Sequence, residues 1–444
     1  MGRTDYRTAR PANLKKHTTM RNLNSIIALA ACTLSCATAS AAADFKADGI
    51  AYNILADRDN CVEVATDYSL YMKEAITVPE KVTYDGKEYT VVGLGTSAFA
   101  NTYGKLKSLT LPSTVTYFGD KSLKSVRFTE FTIPENVDSI GVDVFSGCSS
   151  LTAFHVAEGN KYFTAQDGVL FNKDMTKLYN YPVASEATSY TIPAGVVETA
   201  SRAFDSSKNL TEVVLSDAMQ TIGASTFTSC TALESIDFGQ AVITSIGESA
   251  FYGCKMLREL DLRRHSITAI GKSMFYNCTA LEKLYLPSTV TEFGDYSFNG
   301  LKALQELHMQ AEKPAQFTSI GRKFSDFMNN ELTVLYVPTG CKAAYEADET
   351  YAGAFKDIVE ESVETGIGSA QTASAGARIA LSAGRISFGG DAADIRVFGM
   401  DGNEVLRHAG KASSVSVAGL AAGVYVAKAV VGGKTVSAKI CINK

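Results

Sequence analysis

Between about residue 90 and residue 340 the apolar positions recur with a period in the low twenties. The clearest copies are TIGASTFTSCTALESIDF (221–238), SIGESAFYGCKMLRELDL (245–262) and AIGKSMFYNCTALEKLYL (269–286). The glycines Gly223, Gly247, Gly271 and Gly294 are spaced 24, 24 and 23 residues apart. Phe follows each of them four residues on, and Leu follows ten residues on (Leu233, Leu257, Leu281, Leu304). Cys stands at plus seven in three of them, Cys230, Cys254 and Cys278. Looser copies precede these: LGTSAF (94–99), Gly119 with Leu123, SIGVDVFSGCSSLTAFHV (139–156) with Cys148, and TASRAF (199–204) with Ala200 at the glycine position. A worn copy ends in LTVLYVP (332–338), giving about nine coils of 22–24 residues. Each copy closes on Leu-x-x-Leu-x-Leu, whose alternation predicts a short strand. A fixed period with that signature predicts a leucine-rich solenoid, in which stacked neighbours bury what one coil cannot. The Phe, Cys and Leu columns are the surfaces that stacking covers, and the glycines are expected to supply a turn conformation that a Cβ would hinder.

The repeat settles what the cysteines do. Equivalent thiols pointing inward from successive coils act as small buried hydrophobes and do not converge as metal ligands must. The Cys-x-x-x-Cys spacing of Cys32 and Cys36 falls in the exported leader; Cys61, Cys341 and Cys441 are scattered, so no metal site and no disulfide framework is expected. Outside the solenoid, residues 1–43 read as an over-extended start plus a signal peptide. Arg21 precedes the apolar SIIALAACTLSCATASAAA (25–43), and LAAC (29–32) leaves a lipoprotein signal as the rival reading. The remaining divisions are 44–90, an N-terminal β cap; 91–340, the solenoid, with a hairpin insertion at 157–196; 341–362, a C-terminal cap; 363–380, a small-residue linker; and 381–444, a β-sandwich. Fold class is therefore mainly β, with the sandwich small and antiparallel.

Removing residues 1–43 takes away six Lys/Arg and one Asp, leaving 36 basic against 46 acidic residues and a net charge of −10. Nucleic-acid affinity comes from neutralising phosphates, so an acidic chain with no basic stripe excludes that partner class. No apolar run reaches the roughly 18–20 residues of a membrane span.

These features resemble the BspA-like leucine-rich repeat family of bacterial surface proteins. DFKADGIAYNIL (44–55) is similar to that family's N-terminal cap. GNKYFTAQDGVLFNKDMTKLYNYP (159–182) is similar to its interrupting hairpin, with Asp167-Gly168 as the turn. LYVPTGCKAAYEADETYAGAF (335–355) is similar to its terminal cap, although Tyr351 stands where Trp is usual. The resemblance implies adhesion: recognition of a host or bacterial surface protein or glycan, at an extracellular or outer-membrane address. In the tail, DIRVFGM (394–400), GLAAGVYV (419–426) and GGKTVSAKI (432–440) resemble the C-terminal sorting domain of type IX secretion. That implies a second partner, the secretion machinery. Strands are expected at 384–388, 394–400, 415–420, 423–431 and 434–442, with turns at Asp401-Gly402 and Gly432-Gly433.

Candidate binding residues follow from the strand pattern. The outward position next to the last apolar residue gives the column Thr110, Thr132, His155, Val214, Asp237, Asp261, Tyr285, His308 and Tyr336. The ligand-binding candidates are Asp237, Asp261, Tyr285, His308 and Tyr336, an acidic patch running into an exposed aromatic one. Strands about 4.8 Å apart would bring Asp237 and Asp261 as close as the ~5–5.5 Å of a retaining glycosidase, but an open sheet has no cleft for a sugar. A binding protein without catalytic residues, metal or cofactor is therefore expected. The alternatives are a structural or nutrient-scavenging subunit of a cell-envelope complex and, behind it, a hydrolase.

Overall fold

The computed structural model describes residues 43–67, 73–100, 102, 105–319, 321–327, 331–362 and, with short breaks, 379–442. The signal-peptide, lipobox and linker expectations, and both tail turns, lie outside the described residues.

The chain is mainly β and coils into a solenoid of roughly 11 turns. The repeat count was lower because strands Ala75–Thr77, Ser189–Thr191 and Asp357–Glu361 belong to turns without the Gly-Phe-Cys signature. Each regular turn contributes two short parallel strands to opposite flanks. The front sheet carries the Leu-x-x-Leu-x-Leu strands, for example Glu259–Asp261, Lys283–Leu286, Glu306–Met309, Val334–Pro338 and Asp357–Glu361 in unbroken order. The back sheet carries two-residue strands just before each glycine, such as Thr221–Ile222 and Ser245–Ile246.

Between the flanks lies the column core. Phe204, Phe227, Phe251, Phe275 and Phe298 are fully buried and stack ring on ring, with centroids 5.2, 5.8, 5.9 and 6.1 Å apart. The thiols of Cys148, Cys230, Cys254 and Cys278 are buried and unbridged. Each thiol donates to the carbonyl at the Phe position of the preceding turn: Leu123, Phe204, Phe227 and Phe251, at 3.0–3.2 Å. The column is therefore core with one weak directional bond per turn, and burial pushes the thiols far from ionisation.

The glycine column works differently from the expectation. Gly223, Gly247 and Gly294 lie outside the left-handed region; a Cβ there would instead come within 2.4–2.6 Å of the preceding turn's backbone. They are close-approach residues. The left-handed conformation falls two and six residues later: Ser225 (φ 56), Ser249 (57) and Ser273 (53), then Ser229 (59), Gly253 (71) and Asn277 (58). The reason is a third ladder. The twisted residues and the Phe between them aim their N–H groups at the next turn: Ser249 to Lys272 (2.9 Å), Phe251 to Met274 (3.1 Å) and Gly253 to Tyr276 (2.8 Å). Every donor in this ladder points toward the C-terminus.

Among the described residues the front sheet is interrupted three times: between 108–110 and 130–133, after 153–156 at a hairpin insertion, and between 235–237 and 259–261. Strands Phe163–Gln166 and Val169–Asn172 form a hairpin across Asp167 (φ 52) and Gly168 (φ 76), a turn twisted to match right-handed strands. The Gly168 carbonyl accepts from the Phe154 N–H, so the hairpin tip meets the edge of front strand Ala153–Val156. A third strand, Lys177–Asn180, joins the back sheet. The last interruption lies between front strands Ser235–Asp237 and Glu259–Asp261, which belong to separate ladders.

At the N-terminal end, Phe45–Ala47, Ile50–Ile54 and Cys61–Val64 form antiparallel pairs that lead into Lys87–Leu94. In the tail, the expected strands 384–388 and 394–400 are one strand, Arg385–Gly399, with register shifts where it crosses Gly389-Gly390. It pairs antiparallel with Ile379–Ser382, Glu404–His408, Ala412–Ser416 and Gly423–Val431. The strand expected at 415–420 is Ala412–Ser416.

Candidate functional site

The five-strand sector 259–361 is the longest unbroken run of the front sheet among the described residues, and it brings together four of the five candidates. Asp261 is in register with Tyr285, Tyr285 with His308, and His308 with Tyr336. The rings stack face to face: Tyr285 on His308 at 4.2 Å and His308 on Tyr336 at 4.3 Å, the second pair within 5° of parallel. Side chains that stand perpendicular to a sheet must stack so when flat rings occupy neighbouring strands.

Sequence reasoning missed two members of this ladder. Arg263 lies with its guanidinium 4.3 Å from the Tyr285 centroid and bonds Asp261 through Nη2 (2.6 Å) and Nε (3.0 Å). Its signal was the Asp-x-Arg spacing on a column strand. Glu361 reaches back 53 residues to bring both carboxylate oxygens to His308 Nδ1, at 2.9 and 3.0 Å. Its signal was the β-branched IVEE (358–361), which continues the sheet by one strand.

His308 corrects the expectation of an exposed aromatic. It is 7% exposed, because tyrosines cover both faces, Glu361 faces Nδ1, and Glu306 faces Nε2 at 3.3 Å. It orders the stack from within, while Tyr285 and Tyr336 are half-buried. The Asp237–Asp261 pair is also corrected. Asp237 is exposed, on the far side of the sheet break, and its carboxylate accepts from its own Gly239 N–H at 2.8 Å. Asp261 is held by Arg263, so the two do not form a carboxylate dyad.

The electrostatics are consistent with this arrangement. Burial alone would raise the pKa of Asp261 and of Glu306. The bonds and charge of Arg263 outweigh it for Asp261; those of Lys283 (2.9 Å) and His308 outweigh it for Glu306, so both carboxyls are held below their ordinary values. Burial, helped by Glu259, raises the Tyr285 phenol and keeps it a donor. Arg258 pairs with Glu282 at 3.0 Å. Glu212, Glu234, Asp237 and Glu259 have no cationic partner among the described residues. Among the described residues, no cluster of His, Cys, Asp and Glu could hold a metal ion, and no helix is long and apolar enough to cross a membrane.

Comparison with solved structures finds a leucine rich cell surface protein from Faecalibacterium prausnitzii A2-165, 21% identical, covering 62% of this chain and 95% of its own, with a TM-score of 0.42. The pneumococcal vaccine antigen PcpA is 19% identical over 72% of this chain and 98% of its own, with a TM-score of 0.44. A leucine-rich repeat protein from Eubacterium ventriosum is 19% identical over 70% and 91%, with a TM-score of 0.43. No curated protein matches the sequence. Residues 87–181 and 176–305 match, in six copies, the family model described as BspA type leucine rich repeat region, and over that span the chain is similar to that family.

Proposed function

We propose that the chain is an exported binding protein of the bacterial surface, whose front sheet recognises a protein or glycan partner without chemistry on it. The observation that carries this reading is the rigid ladder Arg263–Tyr285–His308–Tyr336, set on a continuous five-strand sector and clamped from below by Glu306 and Glu361. Rigid aromatics give contact area at small entropic cost, and a preordered surface loses less freedom on association. The tail 381–444 serves export and attachment in this reading.

The test is the double variant Tyr285→Ala/Tyr336→Ala, both residues being only half-buried. Binding to immobilised matrix proteins and to whole bacterial cells is expected to drop by at least tenfold while the thermal midpoint moves by only a few degrees. Full retention of binding by a folded double variant overturns the sheet-face assignment.

A further inference from the structure

We infer that the partner of this face is a basic, Lys/Arg-rich segment of a protein and not a glycan; the inference deepens the sheet-face reading above and rests on it. Two independent features of the ladder decide between the classes.

The first is ring orientation. A sugar stacks its C–H groups on an open aromatic face, and Tyr285 and His308 have none to offer. Tyr285 is covered by the Arg263 guanidinium on one side, at 4.3 Å, and by His308 on the other, at 4.2 Å. Tyr336 is covered by His308 at 4.3 Å, and its register neighbour on the far side is Val359. What reaches solvent is a row of ring edges and phenol hydroxyls. Such a surface suits the long aliphatic stem of a lysine or arginine laid across it, with the charged head free to reach the rim.

The second is charge. On strands 212–285 the cations are already engaged: Arg258 by Glu282, Arg263 by Asp261, Lys283 by Glu306, and, in the turn after 259–261, Arg264 by the Gly239 carbonyl. The leftover charge is negative. Glu259 is exposed on the strand next to Tyr285, and across the sheet break Glu234 and Asp237 are exposed, with Glu212 half-exposed on the strand beyond. A patch of one sign speeds encounter with the opposite sign and rejects its own, in a salt-dependent way. An acidic rim flanking edge-on rings therefore complements cationic heads on apolar stems.

The experiment uses the full chain in fluorescence anisotropy. The probes are a labelled twelve-residue Lys/Arg-rich peptide with interspersed Leu, an acidic peptide of equal length, and a panel of neutral oligosaccharides. The basic peptide is expected to bind at least tenfold more tightly than the acidic one. Affinity should fall by at least fivefold when salt rises from 50 to 300 mM. Both the triple variant Glu234→Gln/Asp237→Asn/Glu259→Gln and the double variant Tyr285→Ala/Tyr336→Ala should weaken it at least fivefold. Equal binding of the two peptides, or oligosaccharide binding lost only in the tyrosine variant, overturns the basic-segment inference and leaves the sheet-face reading standing. Binding of any probe that neither variant changes overturns both.

Discussion

His265 shows how far one side chain can depart from its usual chemistry. It is 3% exposed, lies 4.5 Å from Phe238, and accepts through Nδ1 from the Ile243 N–H. Burial first, and the Arg264 charge second, lower its pKa to about 4. The folded chain therefore holds the neutral ring, whereas the unfolded chain takes up a proton near pH 6.5. Stability is full above pH 6.5 and falls as the pH drops toward 4, by about 1.4 kcal/mol per unit in the limit of one proton. His265→Gln should remove about that slope from urea midpoints measured between pH 6.5 and 4; an unchanged slope would show that the titration lies elsewhere. The glycines make a second residue-scale prediction. Gly247→Ala drives a Cβ to 2.4 Å from the Ala224 nitrogen, while Gly271→Ala meets only the Glu248 Cα at 3.3 Å. The first should destabilise by about 1–3 kcal/mol and the second by clearly less, as in overpacked cores generally; reversed ranking in thermal melts would refute the close-approach account.

At the scale of the element, the third ladder explains why a turn contains two left-handed residues. Ser in that conformation costs roughly 1 kcal/mol that glycine does not. Ser249→Gly should therefore leave stability level or slightly raised, whereas Gly253→Ala (φ 71) should lower it by about 1 kcal/mol in equilibrium unfolding. Phe251→Ala removes one ring from the middle of the stack and should cost about 3–5 kcal/mol. These elements differ in how plainly they were written. The Phe, Cys and Leu columns were legible because identical residues recur at one spacing. The twisted positions were not, since serine is a common loop residue and only the bond to the next turn reveals its role. The burial of His308 depends on Glu361, 53 residues away, beyond any local pattern. Nor does any residue type announce the break between 235–237 and 259–261, since both turns keep the full repeat signature.

For the molecule as a whole, the front sheet divides by composition. Apart from the exposed His155–Glu130 pair, strands up to 191 present Thr77, Thr110, Thr132 and Thr191, whereas strands from 212 onward carry most of the charges and rings. The proposed recognition face lies toward the C-terminal half, in the same half as the proposed sorting tail. Removing residues 366–444 should leave the chain able to bind but change where it accumulates, as fractionation of surface, periplasm and medium would report. A truncated chain distributed like the full one would argue against a sorting role.

The ladder of N–H groups that all point one way gives the solenoid a modular length. Each turn offers donors ahead and acceptors behind in the same places, so a whole period can be excised or copied without leaving an unmatched seam. Deleting 247–270 would set Ile246 directly before Gly271, restoring the same Ile-Gly step. A lineage that varies its reach by adding or losing turns needs no compensating change in the two ends. The proposed contact surface and the tail can thus be drawn apart or together in steps of one coil.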